Sequence, residues 1–145
     1  MAVDNLNKTV TVYNLLTGKI IQTLSDSKRI SSIAISKDGK FLASGHWDKT
    51  ITIWDIESGV ILGKLGGFLS RNGHETEVTA LSFSYDGQLI ASASSDGIMK
   101  IWNLRTGELI ETVSAHLGTI KSLIFTPDDQ SIISASSDHT IKVWE

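Results

Sequence analysis

Three serines and three aspartates recur at one spacing: Ser44 with Asp48, Ser92 with Asp96, and Ser134 with Asp138, each pair four residues apart. Two of these copies add a histidine, His74 and His116. Serine, imidazole and carboxylate are the residue types of nucleophilic acyl transfer. That chemistry needs one nucleophile, one oriented base and one oxyanion hole in a single cleft, and gains nothing from repetition at regular intervals. The repetition points to a structural role, so no catalytic residue is assigned. His46 and His139 lie near turns, without the i, i+4 or His-x-His spacing of a metal site, and read as solvated turn residues. The glycines are scattered through turns and form no phosphate-cradling loop, so neither metal nor cofactor is expected.

The elements that must carry these residues emerge when the sequence is slid against itself. The segments NKTVTVYN, DKTITIWD, DGIMKIWN and DHTIKVWE align, with aromatic positions Tyr13, Trp54, Trp102 and Trp144. Their spacings are 41, 48 and 42 residues, the surplus falling in the loop 66–72. Each copy holds short runs of alternating apolar and polar residues, the signature of strands. SKDGK, SYDGQ and TPDDQ join the first two strands of each copy, the Asp-Gly pairs supplying the positive φ of tight turns. A four-stranded antiparallel unit of this period cannot bury both its faces alone, so successive units must stack radially. The expected fold is all-β, a propeller of such blades. The chain divides into a partial blade at 1–24 (the end of a second strand, then a third and a fourth), repeats at 25–65 and 66–113, and a repeat at 114–145 lacking its outer strand.

The landmarks Gly73-His74, Val78, Phe83-Ser84, Asp86-Gly87, Ala91-Ser92, Asp96 and Trp102-Asn103 follow in an order that resembles the WD-repeat family. The interval from His74 to Trp102 is 28 residues, and from His116 to Trp144 it is again 28. The resemblance spans essentially the whole chain. It implies hydrogen-bonded tetrads, His74-Ser92-Asp96-Trp102 and His116-Ser134-Asp138-Trp144, that satisfy buried polar groups together. In the first full copy it implies Ser44, Asp48 and Trp54, with Asp26 where the histidine would stand, so the network there is incomplete or differently wired. In the N-terminal fragment Asn7 and Tyr13 stand for Asp and Trp. These two units are expected to be the softer ones.

The same resemblance places partner recognition on the face formed by the loops before the first strand and between the second and third. The positions are Arg29, Ser31 and Trp47, then Glu77, Thr79 and Ser95, then Thr119, Lys121 and Ser137. Trp47 beside Arg29 combines two residue types that dominate binding hot spots; it either contacts a partner or packs on the next blade. Phe68 and Leu69, in the inserted loop, are either a partner anchor or a lid on their own blade.

Composition narrows the function further. With 41% hydrophobic and 20% charged residues the chain balances as a globular domain. A net charge of −3, without a basic cluster, excludes nucleic acid as the expected partner. No apolar run approaches a membrane span, and no secretory signal opens the chain, so it is expected to start near Met1. The absence of cysteine fits a reducing compartment, and cytoplasm is expected. A propeller typically closes with four to eight blades, more than three and a fragment. Either copies associate, a dimer being favoured with the GKIIQTL strand of one chain completing the last blade of the next, or the chain is a fragment of a longer propeller. The expected function is a non-catalytic scaffold for a protein or peptide, the alternative a purely structural self-assembly module.

Overall fold

The computed structural model describes residues 2–5, 8–66 and 72–145. Among them fourteen strands form four antiparallel sheets. The first sheet contains β1 (Ala2–Asn5), β2 (Thr9–Tyr13) and β3 (Ile20–Ser25). The second contains β4 (Ile30–Ile35), β5 (Phe41–His46), β6 (Thr50–Asp55) and β7 (Ile61–Gly66). The third contains β8 (Val78–Phe83), β9 (Leu89–Ser94), β10 (Ile98–Asn103) and β11 (Leu109–Ser114). The fourth contains β12 (Ile120–Phe125), β13 (Ile132–Ser136) and β14 (Ile141–Trp144). In every sheet the strands pair in sequence order, as hairpin connections require. The Gly18–Leu24 segment, expected to complete another copy's last blade, is paired to β2 of its own chain, Leu24 opposite Val10.

The turns between first and second strands need a left-handed residue. Gly39 and Gly87 supply it at φ +73° and +71°, and Asp129 takes the same conformation at +57°. Asp129 offsets the strain with its carboxylate, which accepts the Tyr85 and Asp86 backbone N–H groups of the preceding blade at 2.7 and 2.8 Å.

The sheets pack face to face as propeller blades. The central strands β5, β6, β9 and β10 are buried almost throughout, because each lies between its own sheet's neighbours and a second sheet. Three apolar clusters fill the gaps: Val10, Val12 and Leu24 against Ile30, Leu42, Trp54 and Ile56; Ala43, Ile51, Ile53 and Leu65 against Val78, Leu81, Phe83, Ile90 and Trp102; and Ala91, Ala93, Met99 and Ile101 against Ile120, Leu123, Phe125 and Ile132. The first strands pack side by side, β4 against β8 and β8 against β12.

Each of these first strands slips register once against its second strand, between Ile30 and Ser32, Val78 and Ala80, and Ile120 and Ser122. The extra residue is Ser31, Thr79 or Lys121, and such a bulge re-aims its side chain. Ser31 donates its hydroxyl to the Val78 carbonyl at 2.6 Å, and Thr79 donates to the Ile120 carbonyl at 2.6 Å. A side-chain strut thus ties each first strand to the next. Lys121 occupies the third such position and is exposed.

Candidate recognition face

The loops entering the first strands and those between second and third strands meet on one side of the sheets. In all three full copies their backbones are joined, Trp47 N–H to the Arg29 carbonyl (3.1 Å), Ser95 N–H to Glu77 (3.2 Å) and Ser137 N–H to Thr119 (2.9 Å). Beneath them lie the repeated serines, histidines and tryptophans.

The fourth sheet carries the fullest network. Trp144 Nε1–H donates to Ser134 Oγ at 2.8 Å, Ser134 Oγ lies 2.7 Å from His116 Nε2, and His116 Nδ1 lies 2.9 Å from Asp138 Oδ2. A carboxylate only accepts, so Nδ1 carries the proton, Nε2 accepts from the serine, and the serine accepts from the indole. Asp138 also accepts the Thr140 hydroxyl at 2.6 Å and the Leu117 backbone N–H at 3.1 Å. The Thr140 bond, reinforced by His116 and backbone donors, holds its carboxyl well below the usual carboxylate range despite some desolvation.

The third sheet repeats two of the three links. Trp102 Nε1–H donates to Ser92 Oγ at 2.8 Å, and Ser92 Oγ lies 2.7 Å from His74 Nε2. Asp96, expected on the imidazole, instead accepts from the Ser94 hydroxyl at 2.5 Å and the Ile98 N–H at 3.1 Å, leaving His74 Nδ1 buried without a partner. Ile98 stands where Thr140 stands in the next copy, so the hydroxyl that helps fix Asp138 is absent. Burial pushes the His74 imidazole down to about 4, Lys100 acting in the same direction.

The second sheet is wired differently, and here the reading of His46 as a solvated turn residue is corrected. His46 ends β5 and is completely buried, with Nε2 3.1 Å from both Ser44 Oγ and Thr52 Oγ1. Trp54 Nε1–H donates to Ser44 Oγ at 2.9 Å. Asp26, in the loop position of the missing histidine, lies 3.5 Å from the His46 imidazole. The ring is supplied from the second strand instead of the entering loop, and burial lowers its pKa, with Asp26 opposing. Asp48 stands outside this chain, ion-paired with Lys28 and accepting from Thr50 Oγ1 at 2.6 Å. His139 is exposed in a left-handed turn at φ 67°.

Above these networks the Arg29 guanidinium lies over the Trp47 ring, 3.9 Å from its centroid, and Trp47 stays 48% exposed. Trp47 therefore packs on its own blade's loop and presents an edge to solvent. Of the other face positions, Lys121 and Ser137 are exposed, while Glu77, Ser95 and Thr119 are half-buried. Ser31 and Thr79, which the resemblance puts on the same face, are half-buried and also serve as struts between blades. Phe68 and Leu69 lie outside the described residues. Sequence reasoning passed over Leu117, which is fully exposed beside His116. Among the described residues no group of three or more His, Asp or Glu could hold a metal ion, and no helix is long and apolar enough to cross a membrane.

The sequence model for the WD domain, G-beta repeat, matches residues 18–55, 66–103 and 107–145. The chain belongs to the WD-repeat family. Each matched region ends on or beside the tryptophan whose indole donates to a buried serine. The WD-repeat chain is similar to the periodic tryptophan protein 2 homolog of Schizosaccharomyces pombe, 40% identical over 53 residues that make up 34% of this chain and 6% of that protein. It is also similar to small ribosomal subunit protein RACK1 of Caenorhabditis elegans, 41% identical over 44 residues, 30% of this chain and 14% of that protein. Autophagy-related protein 16 of Arabidopsis thaliana is 30% identical over 76 residues, 47% of this chain and 15% of that protein. The chain thus spans only a small part of the length of these relatives. The crystal structure of the computationally designed Ika4 protein superimposes at a TM-score of 0.79 and 27% identity, over 99% of this chain and 82% of that one.

Proposed function

We propose that this WD-repeat chain is a non-catalytic protein-interaction scaffold that binds a peptide or protein surface on the Arg29–Trp47 side of its blades, in a cytoplasmic setting and in a propeller completed by self-association. The observation that carries the reading is the stack of Arg29 on Trp47. A planar cation and a large aromatic, held together by a backbone bond yet half open to solvent, form a preorganised anchor of the kind that dominates interface energetics. Against an enzyme stands the burial of Ser44, Ser92 and Ser134, each fully enclosed with its hydroxyl accepting an indole N–H. No substrate reaches them without unfolding the blade.

The test is selection of a displayed random-peptide library on the wild-type chain, followed by measurement of the enriched peptides against Arg29→Ala/Trp47→Ala. Both side chains are surface groups, so the thermal melt should hardly move, while affinity should fall about 5- to 150-fold, the equivalent of losing about 1–3 kcal/mol at a hot spot. Peptides that bind both proteins equally would place recognition elsewhere.

A further inference from the structure

Gly63, on the outer strand β7, leaves open a space at the joint between the second and third sheets that the joint before it fills. It stands opposite Ile53, as Gln22 on β3 stands opposite Val12. Gln22 reaches across its joint to a turn of the next sheet. Its amide donates to the Glu57 carbonyl at 3.4 Å, and a Cβ on Gly59 would lie 2.9 Å from its Nε2. Gly63 has no side chain to send to the matching turn, Leu104 to Gly107, and nothing lies within 4 Å of where its Cβ would be. The result is an open cavity of about 500 Å³ walled by Phe41, Ile53, Leu62, Leu65 and Leu104. That is the size and character of a ligand pocket. All of its walls belong to the second and third sheets and their turns, and each of these sheets has its four strands.

Two more positions differ between the joints, and both change the charge. Lys64 stands where the earlier joint has Thr23, and Arg105 where it has Glu57. They are the only charged residues lining the cavity, and neither forms an ion pair among the described residues. β7 is also the edge of its sheet, so among the described residues one row of its backbone N–H and C=O groups lacks a strand partner. We infer that this groove binds an extended acidic segment of a partner protein, paired to the free edge of β7. One large apolar side chain of that segment fills the space beside Gly63, and its carboxylates lie against Lys64 and Arg105. Edge pairing supplies affinity whatever the sequence, while the side chain turned into the groove at every second residue supplies selection. The hairpins that frame the cavity lie at the opposite end of the strands from Arg29 and Trp47, so this is a second surface, independent of the first.

Gly63→Gln and Lys64→Thr/Arg105→Glu give this joint the residues of the one before it, so both variants should melt within a few degrees of wild type. A displayed library of random peptides, selected on the wild-type chain and counter-selected on Gly63→Gln, should yield peptides in which a large apolar residue is flanked by aspartate or glutamate. Their affinity should fall at least tenfold in either variant and stay within twofold in Arg29→Ala/Trp47→Ala. On binding they should protect the β7 amides from hydrogen exchange. A selection that returns no acidic peptides, or binding undiminished in Gly63→Gln, would overturn the proposal. Binding that leaves the β7 amides unprotected would overturn the pairing of an extended segment. Decanoate, titrated as a free apolar carboxylate, should bind at least tenfold more weakly than the peptides; equal or tighter binding would assign the cavity to a small amphiphilic acid instead. Peptides lost in Arg29→Ala/Trp47→Ala but not in Gly63→Gln report on the other face, so the two proposals fail separately.

Discussion

Mild acid should destabilise this protein well before its carboxylates begin to protonate. In an unfolded chain His74 takes up a proton near pH 6.5; in the folded blade burial holds that step down to about 4. Between these values the unfolded state binds the proton and the folded state does not, so stability falls as pH drops through the interval and levels off below it. At about 1.4 kcal/mol per pH unit, His74 alone removes about 3 kcal/mol, a large share of the roughly 5–15 kcal/mol typical of a domain. His46, also lowered by burial, acts in the same direction. The lowered aspartates, Asp138 and Asp48 among them, act in another window: their contribution is present above about pH 4 and is lost as pH falls below it. Urea unfolding at fixed protein concentration, from pH 7.5 to 4, should therefore show the midpoint falling steadily from about pH 6.5, with a second loss in stronger acid. The His74 ring-proton resonance should stay at its neutral position down to nearly pH 4. A midpoint constant between pH 6.5 and 4.5, or a His74 resonance titrating near 6.5, would refute the argument that burial keeps this imidazole neutral.

Two further outcomes test the packing directly. Ser92→Ala strips the acceptor from the Trp102 indole and the partner from His74 Nε2, leaving two buried polar groups unsatisfied, and should cost about 2–5 kcal/mol in equilibrium unfolding; a loss under about 1 kcal/mol would show that the network contributes little. Gly97→Ala should yield little folded protein by circular dichroism, because the residue sits at φ +82° and an added Cβ would lie 2.1 Å from the His116 carbonyl oxygen. A variant melting within a few degrees of wild type would mean that this loop yields more readily than its geometry indicates.

Much of this architecture was legible because the chain states it repeatedly. Four aligned aromatic strands and turn signals between them define sheets that need neighbours, and the serine ten residues before each tryptophan finds its indole in all three full copies. What escaped was set by single exchanges within the repeat. Ile98 removes the hydroxyl that assists the third-copy aspartate, a loss visible only once the threonine's role is seen. His46 fills a volume that the change at position 26 empties; the paired loss and gain of histidine within one copy was the available signal. The bulges at Ser31, Thr79 and Lys121 have no residue-type signature, being properties of backbone pairing, so the hydroxyl struts that Ser31 and Thr79 form between blades could not be read from the sequence.

The struts also give the array a direction. Each hydroxyl reaches towards the C-terminal neighbour and each accepting carbonyl belongs to the strand that follows, so one boundary between repeats differs chemically from the other. A segment cut at equivalent points and copied in tandem brings a donor ahead and an acceptor behind, and joins itself without new chemistry. A segment reversed in its stacking would set donor against donor. Lengthening and shortening by whole units are thus built into the joint, which makes the number of blades in such a protein an easily revised quantity and the order of its faces a fixed one.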